Sequence, residues 1–272
     1  MNSKEHIPQL NDQEYSKVFH TFVTGSTQYK DMPMLAKPAI DHFSGKTVNL
    51  LSIGAGTGMV EDHFVKNFNL KLSYYYAIEP NEFHRLGLKK TIHNWNVDHK
   101  IDSDYFTPRM EINDRFDIVL MSHCLYYMED PLGAMLKAKS LAKPQGGKVI
   151  IFHHTDESAS VFRHLRKSAT PDRSLIIDRG LSSKELSRML DKSGIKHDVS
   201  VAHSIVDVDD FIEERNTPTA NDVITFILQT RFEDLKEDLK NDVFCMTKEM
   251  SFKNKDGKLV LAIPTAMIQI EN

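Results

Sequence analysis

The chain has 272 residues, 40% of them hydrophobic and 26% charged, which is typical of a globular protein with one α/β domain of ordinary size. Its formal net charge of -4 argues against binding to the phosphates of a nucleic acid. The two cysteines, Cys124 and Cys245, cannot build a disulfide framework, and we find neither a secretion signal nor a run of about 18 apolar residues. These features predict a cytoplasmic protein without a membrane or nucleic acid partner.

The N-terminal region, residues 1–46, is polar with scattered apolar positions and predicts helices. Pro33 and Pro38 interrupt this pattern, and Pro38 suits the first turn of a second short helix that reaches Phe43. A helix before these prolines carries aromatic residues at spacings that give one apolar face: Tyr15, Phe19 and Phe22. We expect this region to form a helical lid, with most of that face in the core.

The middle of the chain alternates between strand and helix patterns. Compact β-type runs, typical of buried parallel strands, occupy 47–53, 71–78, 116–122 and 148–153. Apolar residues at helical spacing follow the first three of these runs, over 59–68, 81–93 and 131–142. Such alternation predicts right-handed βαβ crossovers and a parallel sheet.

The last third of the chain has a different pattern, with its segments in the order helix, strand, helix and interrupted strand: 182–193, 197–208, 220–238 and 259–270. Two late strands after a parallel core predict a hairpin added at one edge of the sheet. We therefore expect a single domain over 1–272, in which 47–153 forms the core and 154–272 adds helices and the C-terminal strands.

A glycine loop and an acid occupy the positions of a nucleoside-binding unit. Gly54-Ala55-Gly56-Thr57-Gly58 follows a strand and opens a helix, so a ligand can approach its backbone closely. Glu79 ends the next strand, 25 residues after Gly54, where an acid accepts hydrogen bonds from ribose hydroxyls. The 47–153 core is therefore expected to bind a nucleoside cofactor.

Two cofactors compete for this unit, a dinucleotide and S-adenosylmethionine. None of the eight tyrosines has a lysine four positions later, as a short-chain dehydrogenase would need. The run 116–119 followed by Ser122-His123, together with the turn Asp102-Ser103-Asp104, is similar to what Rossmann-like S-adenosylmethionine-dependent methyltransferases carry on strand four and beside adenine. We therefore predict S-adenosylmethionine as the cofactor.

Three strings carry a more particular resemblance: Leu51-Ser52-Ile53-Gly54-Ala55-Gly56, Glu79-Pro80 and Leu125-Tyr126-Tyr127. With them the chain resembles histamine N-methyltransferase over most of its length. The resemblance implies an α/β Rossmann-like class I methyltransferase fold, with a mostly parallel seven-stranded sheet, an antiparallel C-terminal strand and a small helical substrate-side subdomain. It also implies a monomer that methylates a small molecule and releases S-adenosylhomocysteine.

Site residues follow in two groups. Carried over by position, the resemblance implies cofactor contacts at Gly54, Glu79, His84, Ser103 and Ser122, and substrate contacts at Gln28, His123 and Ile263. The glycine loop, the strand ends and the nearby aromatic residues add candidates: Ala55, Gly56, Gly58, Pro80 and Asp102 for the cofactor, and Tyr15, Phe19, Phe22, Tyr126, Tyr127 and His154 for the substrate.

The substrate positions Gln28, His123 and Ile263 depart from the family, which has a glutamate, a glutamine and an asparagine there. Where the family has a glutamate and an asparagine, this chain has Gln28 and Ile263, so the charge that would pair with an alkyl ammonium is absent. His123 is the predicted catalytic base, with a supporting role in the cofactor pocket as the alternative. An imidazole nitrogen is largely neutral at pH 7 and needs only a weak base, whereas an aliphatic amine needs a stronger one.

The sequence therefore predicts an N-methyltransferase that acts on a small imidazole or other amine metabolite by in-line transfer from S-adenosylmethionine. The alternative is a non-catalytic binding or regulatory protein with the same fold. No metal is expected, because His123, His153 and His154 lack the spacing of a metal motif.

Overall fold

The computed structural model describes residues 10–169, 181–215 and 217–271, so residues 1–9 of the predicted lid lie outside the described part. Its helices are α1 (Asp12–Gly25), α2 (Gln28–Asp41), α3 (Met59–Asn67), α4 (Glu82–His93), α5 (Pro131–Leu141), α6 (Asp156–Ala169), α7 (Ser183–Lys192), α8 (Asp209–Ile212), α9 (Asp222–Leu228) and α10 (Glu237–Met250). Its strands are β1 (Thr47–Ile53), β2 (Lys71–Ile78), β3 (Asp98–Asp102), β4 (Ile118–Ser122), β5 (Lys148–His154), β6 (His197–Ala202), β7 (Ile205–Asp207), β8 (Phe252–Lys253), β9 (Leu259–Ala262) and β10 (Thr265–Glu271).

The main sheet has seven strands in the order β3-β2-β1-β4-β5-β10-β6. The pairs among β1 to β5 are parallel, whereas β10 runs antiparallel to both β5 and β6. The prediction of a mostly parallel Rossmann-like sheet with an antiparallel C-terminal strand is confirmed. The late strands β6 and β10 pair antiparallel beyond β5, but α8, α9 and α10 separate them in the chain, so the prediction of a hairpin is wrong.

Both faces of this sheet are covered, which explains why its central strands are continuously apolar. Successive side chains of a strand point to opposite faces. Leu50 accordingly packs with α2, α3 and α4, while Leu51 packs with α5 and α7. All seven residues of β5 are buried. The burial on two faces holds β1 and β4 at the centre, where their carboxyl ends meet.

A third apolar cluster lies beside the sheet and corresponds to the predicted helical subdomain. It joins side chains of α1, α6, α8, α9 and α10 with the small antiparallel sheet of β7, β9 and β8. Phe22 of α1 and Phe226 of α9 pack with ring centroids 4.4 Å apart. The N-terminal and C-terminal parts of the chain therefore share one core next to the ends of β1 and β4.

The interpretation that Pro33 and Pro38 break the N-terminal region is wrong. Both prolines lie inside α2, which runs unbroken over 14 residues. Each proline removes one backbone donor from the helix. Met32, Ala36 and Ile40 are buried against the sheet on the same helix, and this burial compensates for the lost hydrogen bonds.

The predicted helix over 220–238 is also wrong in its extent. The chain forms α9, leaves it at Gln229 with a left-handed φ of 60°, and enters α10 only at Glu237. The β-type run over 197–208 is likewise two strands, since β6 joins the main sheet and β7 the small one. The sequence pattern did not predict β3 or α6. Within the described part of the chain, no helix is long and apolar enough to span a bilayer.

Candidate functional site

A cavity of about 1100 Å³ opens at the carboxyl ends of β1, β2 and β4. The strand order reverses between β1 and β4, because β2 and β3 lie on one side of β1 and β5 lies on the other side of β4. In doubly wound sheets, ligands bind in the crevice at this switch point. The walls come from the loops after these strands and from α1, α2, α3, α4, α5, α6 and α9.

Most of the predicted site residues line this cavity. On the cofactor side they are Gly54, Ala55, Gly56, Glu79, Pro80, His84 and Ser122. On the substrate side they are Tyr15, Phe19, Phe22, Gln28, His123, Tyr126, Tyr127 and His154. The fold therefore brings both predicted groups into one continuous space.

The glycine loop and Glu79 form a rigid cradle. Gly54 has φ of 68°, and a Cβ there would lie 2.7 Å from the Cβ of Cys124, so a side chain does not fit. The backbone N–H of Gly56 donates to Oε2 of Glu79 over 2.7 Å, and that of Asn81 donates to Oε1 over 2.9 Å. Two backbone amides thus hold the Glu79 carboxylate, 5% exposed, at the cavity wall with acceptor capacity left for ribose hydroxyls.

His84 closes the same end of the cavity. Its Nδ1 lies 3.7 Å from Oε1 of Glu79, and its ring packs 5.0 Å from that of Phe19 and 5.6 Å from that of Tyr15. Nε2 is buried without a hydrogen-bond partner among the described residues. A buried polar atom of this kind is normally satisfied, so it is available to a polar group of a bound cofactor.

Neutral imidazoles form the opposite part of the cavity. His123 has φ of 50° directly after β4, and its backbone N–H donates to the carbonyl of Phe152 over 3.0 Å. Burial, followed by the nearby His153, lowers the pKa of His123 to about 3. Both of its ring nitrogens are shielded from solvent and have no partner in the described part of the chain. His154, 4.8 Å away between ring centroids, has its pKa lowered mainly by burial, so both rings are neutral at pH 7.

Aromatic rings complete this chamber. Tyr126 stacks on His154 with centroids 5.4 Å apart and an interplanar angle of 7°. Phe162 meets His154 edge-on at 4.6 Å. The hydroxyl of Tyr15 on α1 lies 3.4 Å from that of Tyr127, so α1 contacts the loop after β4 across the cavity. The chamber is therefore suited to a flat, largely apolar ligand.

A methyltransferase-domain family model matches residues 13–198, which include the five parallel strands β1 to β5 of the main sheet. The chain belongs to this family. Among solved structures, YcgJ from Bacillus subtilis is 16% identical, with 89% of this chain and 98% of that chain covered and a TM-score of 0.57. The plantazolicin methyltransferase BamL, in complex with a triazolic desmethylPZN analog and SAH, is 12% identical, with 96% and 90% covered and a TM-score of 0.54. No curated protein matches the sequence.

The particular likeness to histamine N-methyltransferase stays a prediction. A methyltransferase from Thermotoga maritima, named as a possible histamine N-methyltransferase, is 15% identical, with 95% of this chain and 98% of that chain covered and a TM-score of 0.49. Identities at this level reflect the fold of the methyltransferase domain and carry no information about its acceptor.

Four predicted site residues of the methyltransferase domain lie off the cavity wall: Gly58, Asp102, Ser103 and Ile263. Ile263 is fully buried in the subdomain core, where its backbone N–H donates to Ser204, so the prediction that it contacts substrate is wrong. Gly58 begins α3 with φ of 76°, and a Cβ there would meet Leu88 at 2.7 Å; its role is in packing α3 on α4.

The two residues predicted to contact the cofactor after β3 do not line the cavity, but residues a short distance later in the chain do. Asp102 accepts hydrogen bonds from the Tyr76 hydroxyl and the backbone of Asp104, each over 3.1 Å, and Ser103 is exposed. The cavity wall begins two residues after Ser103, at Tyr105, and continues through residue 109. Asp102 and Ser103 therefore lie outside the cavity wall, and the segment that follows them lines it.

Several lining residues had no sequence signal that we recognised: Tyr29, Glu61, Arg166, Phe226, Leu228, Gln229 and Thr230. Arg166 on α6 donates from Nε to the carbonyl of Ile227 over 2.6 Å, which ties α6 to α9 at the cavity. Residues 226–230 form the end of α9 and the turn after it, far from the glycine loop in sequence, so only tertiary packing brings them to the site. Among described residues, no group of three or more His, Cys, Asp or Glu is arranged to hold a metal ion.

Proposed function

We propose that this methyltransferase domain transfers a methyl group from S-adenosylmethionine to a nitrogen of a small metabolite, and that this nitrogen is uncharged at neutral pH, as in an imidazole. The observation that carries the proposal is one cavity that joins a glycine cradle with Glu79 to a chamber of neutral histidines and aromatic rings.

The cofactor end fits an adenosyl group. The Glu79 carboxylate, held by the amides of Gly56 and Asn81, accepts the ribose hydroxyls, and Nε2 of His84 is free to bind a further polar group. The structure of BamL, which has a similar fold, is in complex with SAH. When bound, S-adenosylmethionine supplies a methyl group whose bond to the sulfonium sulfur breaks as the acceptor's lone pair forms the new bond.

The histidine chamber selects the acceptor by its basicity. With a pKa of about 3, His123 is too weak a base to take a proton from an alkyl ammonium, whose pKa is about 10. It is suited to accept a hydrogen bond from the ring N–H of a neutral imidazole and so to orient the lone pair of the other ring nitrogen. Gln28 is consistent with this, since its amide donates to Thr265 over 2.5 Å and brings no charge to the cavity.

The other parts of the chain have supporting roles in this proposal. The α1 helix acts as the lid predicted for 1–46, because its Tyr15 hydroxyl meets Tyr127 across the opening. The core at 47–153 binds the cofactor, and 154–272 contributes α6 and α9 to the acceptor chamber. The monomeric state and cytoplasmic location stay predictions.

The test is binding followed by transfer. Calorimetric titration with S-adenosylmethionine measures cofactor binding, and labelled methyl transfer is then compared between histamine, other imidazoles and a primary alkylamine without an imidazole, with a no-acceptor control. We expect transfer to a ring nitrogen and none to the alkylamine. Absence of cofactor binding would favour a non-catalytic binding protein, and transfer to the alkylamine alone would contradict the role given to His123.

A further inference from the structure

A second buried carboxylate, besides Glu79, lies in the cavity wall. Glu61 stands in the first turn of α3, directly after the glycine loop, and is 2% exposed. Its Oε1 accepts hydrogen bonds from the hydroxyls of Ser52 on β1 and of Tyr75 on β2, the latter over 3.2 Å. These two donors fix the carboxyl group below the ends of β1 and β2.

This carboxylate has neutral donors but no counter-ion. No lysine, arginine or histidine of the described residues forms an ion pair with Glu61. Burial raises the pKa of Glu61, and repulsion from the Glu79 carboxylate raises it further. A buried carboxylate without a positive partner is costly, so a cation from the cavity would be strongly favoured at this position.

The order of the strands indicates which cation this is. Glu79, which accepts the ribose, ends β2, and His123, which faces the acceptor, follows β4. Since β1 lies between β2 and β4, a cofactor whose ribose is on Glu79 and whose methyl group points to His123 crosses the glycine loop after β1. Its amino acid tail carries an α-ammonium group, and Glu61 is the buried acid at that crossing.

We propose that Glu61 is the counter-ion of the α-ammonium group of S-adenosylmethionine and of its product. This inference rests on the proposed function, because it takes S-adenosylmethionine as the cofactor. Ser52 and Tyr75 are positioning residues in this arrangement, since both donate to Oε1, and the backbone N–H of Glu61 adds a further hydrogen bond to the carboxylate. A positively charged methyl acceptor would be a different partner for Glu61, and the ligands below distinguish it from the ammonium group of the cofactor.

The experiment compares three ligands by calorimetry on the full chain. S-adenosylhomocysteine has the α-ammonium group, its deaminated analogue has hydrogen in place of that group, and 5′-methylthioadenosine lacks the whole amino acid part. We expect the wild-type protein to bind S-adenosylhomocysteine roughly 10- to 100-fold more tightly than the deaminated analogue, the range of a charge-assisted hydrogen bond. Glu61→Gln should abolish this preference and leave 5′-methylthioadenosine binding unchanged.

Glu79→Gln is the matched control, because it removes the other buried carboxylate and should weaken all three ligands by a similar factor. Retained 5′-methylthioadenosine binding by Glu61→Gln shows that the variant is folded. A uniform loss for all three ligands in Glu61→Gln, or an unchanged preference for S-adenosylhomocysteine, would overturn the proposal. If the wild-type protein binds none of the three, the proposed function itself is wrong.

Discussion

The histidine chamber makes the stability of the protein depend on pH in a way that one substitution can isolate. We consider His123→Asn, which removes the titrating ring at the end of β4. Asparagine is chosen because it tolerates the left-handed φ of 50° at this position better than other residues. The substitution therefore changes the titration with little added backbone strain.

The magnitude follows from the pKa of His123. This pKa is about 3 in the folded protein and about 6.5 in the unfolded chain, because burial disfavours the charged ring. Below pH 6.5 the unfolded state binds the extra proton, so stability falls as the pH decreases from about 6.5 toward 3. Linkage gives a loss of about 2 kcal/mol between pH 7 and pH 5 from this residue alone.

Urea unfolding at pH 7 and at pH 5 measures this difference. The fall in the free energy of unfolding should be smaller by about 1 to 2 kcal/mol in His123→Asn than in the wild-type protein. The same exchange at an exposed histidine, His93→Asn, controls for the substitution itself. If His123→Asn loses as much stability as the wild-type protein over this range, the ring is not held neutral by burial and the argument from basicity fails.

Two further predictions concern single contacts of the site. Gly54→Ala and Gly194→Ala both place a side chain at φ of 68°, but only Gly54 has a neighbour within 4 Å, at 2.7 Å. Gly194→Ala should cost about 1 kcal/mol by urea unfolding and Gly54→Ala about 1 to 3 kcal/mol more; equal losses would refute the close packing of the loop. Thr265→Val removes the buried acceptor of the Gln28 amide and should cost about 1 to 3 kcal/mol by thermal unfolding. Thr247→Val removes a hydroxyl that donates only to a carbonyl of its own helix, so it should cost less than Thr265→Val. A larger loss for Thr247→Val would contradict the role given to the hydrogen bond between Gln28 and Thr265.

The core strands were predictable because burial on both faces forces a continuous apolar run bounded by turns. The predicted bounds of β1 and β2 agree with the structure residue for residue. Helix ends were less predictable, as α2 shows: Pro33 and Pro38 oppose a helix locally, and burial against the sheet outweighs them. Local preference decides only where tertiary packing does not.

The same distinction applies to the site. Gly54, Glu79 and His123 were predictable because each directly follows a strand, and parallel strands end at one edge of the sheet. Glu61 carries no comparable signal, because an acid in the first turn of a helix is usually a solvent-exposed residue that favours the helix dipole. Ile263 was misassigned for the converse reason, since a position carried over from a resemblance does not reveal which way the side chain faces.

The sequence by itself determined the parallel core, the glycine cradle with its acid, and the methyltransferase family, since these depend on residues close together in the chain. Only the tertiary structure decided what the cavity contains. Long-range packing brings α1, α6 and α9 over the ends of β1 and β4, and it shields the ring nitrogens of His123 and the side chain of Glu61 from solvent. Desolvation is a property of the assembled fold, so the weak basicity of His123 and the missing counter-ion of Glu61 cannot be read from any local pattern.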